Sequence, residues 1–93
     1  MQIEVVNQAD PKQAALLETL GVADWSIWEK EASEFPWFYD SKEVCYLLKG
    51  KVTVTPDNGE AVTFGAGDLV TFPAGMGCKW LIHEDVKKHY QFF

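Results

Sequence analysis

Between Trp25 and Phe93 the chain is a succession of short apolar or alternating runs, each closed by residues that break regular structure. The run VCYLLK ends at Gly50, the run KVTVT ends at PDNGE, and later runs are separated by GAGD and PAG. Asn58-Gly59 inside PDNGE is a strong hairpin signal. Seven or eight short strands at near-regular spacing predict an antiparallel barrel or sandwich.

The first 24 residues follow a different pattern. IEVV predicts a short strand, and ADPKQAALLETLGV predicts the one clear helix. Asp10 suits the N-cap, Pro11 suits the first helical position, and Gln13 resembles the capping-box partner of Asp10. Gly21 is a typical C-terminal stop. The apolar positions recur at helical spacing, so one side of the helix should pack on the rest of the protein: Ala14, Leu17 and Leu20.

The chain has 93 residues, of which 47% are hydrophobic. That length predicts a single domain over 1–93, divided into an N-terminal strand and helix (1–24) and a barrel (25–93). The composition is that of a folded protein with a core, although so small a domain is marginal by surface-to-volume scaling. Because a dimer would bury more surface, we expect a homodimer.

Charge and cysteine usage exclude several classes of partner. The net charge is −6, with 14 acidic and 8 basic residues, which argues against nucleic acid and against an anionic membrane surface. No apolar run approaches the length of a membrane span, and the N-terminus does not resemble a signal peptide. We therefore expect a cytoplasmic protein in which Cys45 and Cys78 are free, buried thiols rather than a disulfide.

Two spaced motifs lie within the strand-rich region. Glu43 is followed by six residues and Gly50, and Gly67 is followed by five residues, Pro73, one residue and Gly75. Their spacing resembles the two motifs of the cupins, and the two agree in register about 25 residues apart. In that alignment two motif histidines become Trp37 and Tyr39, the third becomes Cys78, and the motif asparagine becomes Ile82.

The segments WSIWEKEASEF, GDLVTFPAGMGCKW and KKHYQFF resemble a subgroup of very small cupins that is grouped with the ureidoglycine aminohydrolase-like cupins. The resemblance covers about residues 25–93. It implies an all-β, cupin-type jelly-roll barrel (a double-stranded β-helix) with one short N-terminal helix. It implies little about activity, because the role of these short members is generally unassigned.

The departures from the cupin motif remove the usual metal ligands. An ordinary cupin site supplies three histidines and one glutamate, and here Glu43 alone matches. Trp37 offers an indole N–H with no lone pair, Tyr39 could ligate only as phenolate, and Cys78 only as thiolate. We therefore expect no metal and no other cofactor.

Strand alternation predicts what replaces the metal site. Trp37 and Tyr39 would face inward together, as would Cys78 and Trp80, because residues two apart share a face of a strand. Glu43, Cys45 and Leu47 share one face in the same way. We expect a pocket that binds a small organic molecule by ring stacking, with a cationic or amine-bearing ligand suiting both the rings and Glu43. Its expected residues are Trp37, Tyr39, Glu43, Cys78, Trp80 and His89.

Two other interpretations remain open. In one, the protein is a small enzyme in which Glu43 and Cys78 perform acid-base or thiol chemistry, with His89 as a base, or in which a non-standard metal binds. Aminohydrolase chemistry would be the family analogy. In the other, Trp37 and Tyr39 only fill the barrel, and the protein is an interaction module. The sequence leaves open whether this protein is an enzyme.

Overall fold

The computed structural model describes residues 2–93. Its helical segments are α1 (Gln13–Leu20) and a 3₁₀ turn (Val22–Asp24), and its strands are β1 (Glu4–Val6), β2 (Ser26–Lys30), β3 (Ser33–Phe38), β4 (Glu43–Pro56), β5 (Val62–Gly65), β6 (Leu69–Phe72) and β7 (Gly77–Phe92). Every strand pairing is antiparallel. Within residues 2–93 the helices are too short to span a lipid bilayer.

Two long strands, β4 and β7, form the spine of the sheet. They pair along nearly their whole length, from Glu43 opposite Phe92 to Pro56 opposite Cys78. The first half of β4 also pairs with β6 and the second half with β5. The first half of β7 also pairs with β3, and the second half with β2. The predicted all-β jelly-roll architecture is confirmed, but the spine replaces several of the short strands that the sequence predicted.

The pairing of β4 and β7 changes register between Leu47 and Val52. Gly50 lies in this stretch with φ of 106°, and a Cβ at this position would lie 2.6 Å from the backbone oxygen of Asp85. A side chain is therefore excluded here by both backbone conformation and space. The glycine marks an irregularity inside one continuous strand, whereas its position in the sequence suggested a strand end.

Alternation along the spine divides the sheet into an inner and an outer face. Cys45 and Leu47 face the inner core, while Val44 belongs to a smaller cluster on the outer face. The predicted shared faces of Cys45 with Leu47, and of Cys78 with Trp80, are confirmed. The fully buried part of the inner core includes these side chains: Tyr39, Cys45, Leu47, Val52, Val54, Val70 and Phe72.

The helix covers the outer face. Leu16, Leu17 and Leu20 pack there with Val22, whereas the expected contact residue Ala14 is exposed. The left-handed C-cap at Gly21 (φ 67°) is as predicted.

The start of the helix differs from the prediction, because the N-cap is Lys12 and no side chain caps it. Asp10 Oδ1 accepts a hydrogen bond from the Lys12 backbone N–H in the preceding turn. The buried Gln13 side chain donates instead to the carbonyl oxygens of Val6 and Gly67, at 2.8 and 2.7 Å. Gln13 therefore joins the helix to β1 and to the β5–β6 turn by hydrogen bonds to their backbone carbonyl oxygens.

The predicted hairpin joins β4 to β5. Val54 pairs with Val62, and the Gly59 N–H donates to the Pro56 carbonyl oxygen at 3.3 Å. Gly59 does not have a positive φ, so the turn is not the two-residue type that an Asn-Gly pair most often forms. The pairing of β4 with β5 ends at Val54 opposite Val62, so the loop is longer than a two-residue turn.

Candidate functional site

A cavity of about 230 Å³ opens at one end of the barrel, between the inner faces of β3, β4 and β7 and the edge of β2. Its wall is mostly aromatic, with one carboxylate and one amine. The lining residues are Trp28, Phe35, Trp37, Tyr39, Glu43, Trp80, Lys88, Tyr90 and Phe92. Ring-rich walls with few polar groups are typical of small-molecule sites.

The polar part of the wall is a buried ion pair. Lys88 Nζ donates to Glu43 Oε2 at 2.7 Å, and the two side chains are only 6% and 4% exposed. Glu43 begins β4, and Lys88 lies on β7, which runs beside it. A buried charge needs a partner because the protein interior solvates it poorly, and each of these groups provides the partner for the other.

Aromatic rings surround the amine of this pair. Lys88 Nζ lies 4.9 Å from the ring centroid of Trp28, 4.7 Å from that of Trp80 and 6.0 Å from that of Phe72. These distances are those of cation–π contacts, which are strongest where the cation is desolvated. The aromatic pocket that the sequence predicted for a cationic ligand therefore already holds a cation of the protein itself, the ammonium group of Lys88.

A second hydrogen bond joins two aromatic side chains of the cavity wall. Trp80 Nε1 donates to the hydroxyl of Tyr39 at 3.1 Å, and both residues are buried. Tyr39 also stacks on Phe72, with ring centroids 4.8 Å apart. Burial and the nearby Glu43 carboxylate raise the pKa of Tyr39 well above its ordinary value, so the group is a neutral phenol. Tyr39 is thus both core and pocket wall.

The remaining members of the predicted site lie in different places. Trp37 lines the cavity at its mouth and is 49% exposed. Cys78 is buried beside the cavity but does not line it, and Cys45 lies in the core. His89 faces away from the cavity, and its Nδ1–H donates to the carbonyl oxygen of Trp25 at 3.0 Å. The expectation that His89 serves the pocket is therefore not supported by its position.

The two cysteines are free and buried. Burial raises the pKa of Cys45 to about 12, and burial together with Asp57 and Glu43 raises the pKa of Cys78 to about 11. A thiol with such a pKa is protonated at neutral pH and is a weak nucleophile. His89 faces away from the cavity, so it is not placed to activate Cys78.

Sequence reasoning missed Lys88 because it lies in KKH, the one basic cluster of the chain, and basic residues on a terminal strand usually face solvent. The signal that could have identified Lys88 was the alternation of side chains along the strand. Val86, Lys88 and Tyr90 share a face by alternation, and Val86 is buried. Lys88 pairs with Leu47 on one side and Trp28 on the other, so it is inserted in an apolar row.

The residues at the cupin metal position do not fit a divalent metal. Trp37 has no lone pair to donate, Tyr39 is held as a phenol, and Cys78 is held as a thiol. Glu43 Oε2 already accepts a hydrogen bond from Lys88. Residues 2–93 contain no group of three His, Cys, Asp or Glu side chains placed to share one ion.

A family model described as the EutQ-like cupin domain matches residues 17–90. The chain belongs to this family. A solved structure of a DUF861 family protein from Thermotoga maritima is 44% identical to the chain, covers 99% of it and 100% of itself, and superposes with a TM-score of 0.90. This cupin domain therefore has a relative of the same length and the same fold.

More distant structures share the barrel. The Clostridium difficile EutQ protein is 21% identical over 72% of this chain and 52% of its own, with a TM-score of 0.65. A DUF861 family protein of unknown function from Pseudomonas syringae is 28% identical over 72% of this chain and 29% of its own, also with a TM-score of 0.65. The EutQ likeness shows the fold alone. No protein with a curated description matches the chain.

Proposed function

We propose that this cupin domain binds a small, uncharged, ring-containing organic molecule in the aromatic cavity, where the molecule hydrogen-bonds to the Lys88–Glu43 pair. The observation that supports this proposal is the buried ion pair of 2.7 Å in the wall of an otherwise apolar cavity. An apolar pocket with a few convergent polar groups is the usual form of a small-molecule site.

We infer the charge of the ligand from the net charge of the Lys88–Glu43 ion pair. Lys88 and Glu43 together are neutral, so a charged ligand would leave one charge without a partner in a poorly solvating cavity. An amine-bearing ligand would also compete with Lys88 Nζ for the faces of Trp28 and Trp80. We therefore favour an uncharged ligand over the cationic one that the sequence suggested.

The polar character of the ligand follows from the hydrogen bonds that the pair leaves open. A lysine ammonium has three N–H donors, and Lys88 directs one of them to Glu43 Oε2. Among residues 2–93, Lys88 Nζ forms no further hydrogen bond and Glu43 Oε1 forms none. A ligand group with an acceptor beside a donor, such as an amide, complements both.

The size of the ligand is bounded by the cavity. Its volume of about 230 Å³ is below the range of roughly 300–1,000 Å³ that is typical of drug-sized ligands. A single ring with one polar substituent is therefore the appropriate scale. Trp37 at the mouth is 49% exposed, so a longer substituent would extend out of the cavity past this side chain.

We further propose that binding needs no metal, because the donor atoms at the cupin metal position do not suit one. The alternative of an aminohydrolase-like enzyme that uses Glu43 and Cys78 has less support. Cys78 does not line the cavity, and its pKa of about 11 keeps it protonated.

Two further parts of the proposal concern the setting of the protein. Four large apolar side chains are about half exposed, which supports a homodimer that covers them: Trp37 and Phe92 of the cavity wall, together with Phe38 and Phe93. Light scattering on a size-exclusion column would give the mass and decide between monomer and dimer. The two free, buried thiols are consistent with a reducing compartment.

The binding proposal is tested by nuclear magnetic resonance of the indole N–H groups. Three of the four tryptophans line the cavity, whereas Trp25 packs on Phe93 outside it and serves as an internal control. Benzamide, benzoate and benzylammonium are titrated as neutral, anionic and cationic probes of one size. We expect benzamide to shift the resonances of Trp28, Trp37 and Trp80 and to bind most tightly of the three.

Matched tryptophan variants show whether benzamide binds in the cavity. Trp28→Phe should weaken benzamide binding, and Trp25→Phe should leave it unchanged. The proposal is wrong if no indole resonance moves at millimolar benzamide, or if Trp25 responds as strongly as the cavity tryptophans. Tighter binding of benzylammonium would instead restore the cation-binding interpretation.

A further inference from the structure

We propose that Lys88 is a nucleophile that forms an imine with small aldehydes entering the aromatic cavity, with Glu43 as the group that accepts and returns the proton. This inference rests on the proposed function, since the aldehyde must first bind in the same cavity. It goes further because it assigns covalent chemistry to a side chain that binding alone would use only as a hydrogen-bond donor.

The placement of Lys88 differs from that of every other lysine in the chain. The protein has eight lysines and no arginine, and the other seven are all exposed. Lys88 alone is buried, with its amine in the wall of a cavity large enough for a small molecule. A lysine desolvated in an apolar pocket is the environment in which this side chain acts as a nucleophile toward carbonyl compounds.

Glu43 provides the proton transfer that the reaction needs. Its Oε2 lies 2.7 Å from Lys88 Nζ, within the range required of a general base. Transfer of one proton from the ammonium to this oxygen gives an amine and a carboxylic acid, and it removes both charges from the cavity. The proton acceptor that the reaction needs is therefore already in contact with the amine.

The steps balance without an oxidant or a reductant. The Nζ lone pair attacks the carbonyl carbon, the C–N bond forms, and the carbonyl oxygen takes a proton from the Glu43 carboxylic acid. The resulting carbinolamine nitrogen returns a proton to Glu43. That proton then passes to the hydroxyl group, the C–O bond breaks, and water leaves as the C=N bond forms. The ammonium and the aldehyde thus become a protonated imine and one water molecule.

The cavity wall suits the product as well as the starting pair. A protonated imine carries the same single positive charge as the ammonium, so the ion pair with Glu43 survives the reaction. The rings of Trp28 and Trp80, which now lie 4.9 and 4.7 Å from Nζ, would face that charge in the same way. The remaining volume of about 230 Å³ accommodates a small substituent on the imine carbon.

Reductive trapping tests the proposal directly. The intact protein is incubated at about pH 7 with benzaldehyde and sodium cyanoborohydride, which reduces an imine to a stable secondary amine. Peptide mass spectrometry then locates the added benzyl groups. Lys88, with a proton acceptor in contact, should be labelled at least about tenfold faster than Lys87, its exposed neighbour on the same strand.

Two lysine variants distinguish a loss of imine formation from a loss of folding. Lys88→Arg keeps a cation for Glu43 but cannot form an imine, so it should abolish the fast labelling, whereas Lys87→Arg should not. Should Lys88→Arg fail to fold, the labelling ratio of Lys88 to Lys87 in the unaltered protein still decides the question.

Parallel titration with benzamide distinguishes the two proposals. Benzamide binding with Lys88 labelled no faster than Lys87 would overturn the imine proposal and leave the binding proposal standing. Absence of both benzamide binding and fast labelling would overturn both. Fast labelling that benzamide suppresses would establish that the imine forms in the cavity.

Discussion

Replacing Lys88 with methionine removes the cation that faces Glu43 while keeping an unbranched side chain of similar length. The carboxylate, 4% exposed, would then be buried with no opposite charge. Breaking a buried pair in this way costs about 3–5 kcal/mol of unfolding free energy. A domain of 93 residues has about 5–14 kcal/mol in total. We therefore expect Lys88→Met to lower the midpoint of thermal unfolding by about 12–40 °C.

The double variant Glu43→Met/Lys88→Met should behave differently. Both charges are then gone, no group is left without a partner, and methionine packs well against aromatic rings. Replacing a whole buried ion pair by apolar side chains is often neutral or stabilising by about 1–4 kcal/mol. We therefore expect the double variant to be more stable than either single variant, with the loss from each single change largely recovered.

The assay is urea unfolding followed by tryptophan fluorescence, with the slope of each transition compared to verify that the same surface is exposed. Lys87→Met, on the exposed side of β7, is the matched control and should change stability by less than about 0.5 kcal/mol. A loss below about 1 kcal/mol, or a double variant as unstable as the sum of the singles, would refute the buried pair.

Four other outcomes are expected. Tyr39→Phe leaves the N–H of Trp80 without its acceptor and should cost about 1–3 kcal/mol in the same urea assay. Folding raises the pKa of Cys45 from 9.0 to about 12, so the thiol's contribution is complete below about pH 9 and is lost as the pH rises toward 12. Cys45→Ala should flatten this part of the stability–pH curve. Gly50→Ala should destabilise by more than about 2 kcal/mol, because its Cβ would lie 2.6 Å from a backbone oxygen, whereas Gly59→Ala, with 3.4 Å to its nearest neighbour, should be tolerated. Zinc or nickel should give no concentration-dependent rise in the unfolding temperature, and a near-stoichiometric metal found by elemental analysis would contradict this expectation.

Much of the fold was predictable because it depends on local signals that act over a few residues. Alternating runs between turn residues predicted the strands, and Gly21 predicted the end of the helix. The motif spacing ending at Gly50 and Gly75 predicted the barrel that the family match supports. The predictions failed where a residue was compatible with more than one structural role. Gly50 can end a strand or bend one, and Gln13 can cap a helix or bind distant carbonyls.

The site was harder to predict because it depends on contacts between distant parts of the chain. Trp37, Tyr39, Glu43 and Trp80 were placed together by motif spacing and parity, and all four line the cavity. Lys88 is 45 residues away from Glu43, and only the register of β4 with β7 brings the two together. That register depends on irregular pairing near Gly50, which no run of residues in the sequence specifies.

The ion pair gives a physical account of why a glutamate stands in the cupin motif of a chain without the motif histidines. In a barrel this apolar, an inward carboxylate at Glu43 would be strongly destabilising without a cation. A metal is the cation in an ordinary cupin site, and here the cation is Lys88 Nζ, 2.7 Å from the carboxylate. The exchange has a chemical consequence. A metal ion can bind a ligand through additional coordination positions, whereas an ammonium group interacts only through its N–H donors or, after losing a proton, through one nitrogen lone pair. Those two modes are the hydrogen bonding and the imine formation that we propose, and they distinguish this cavity from a histidine-based cupin site.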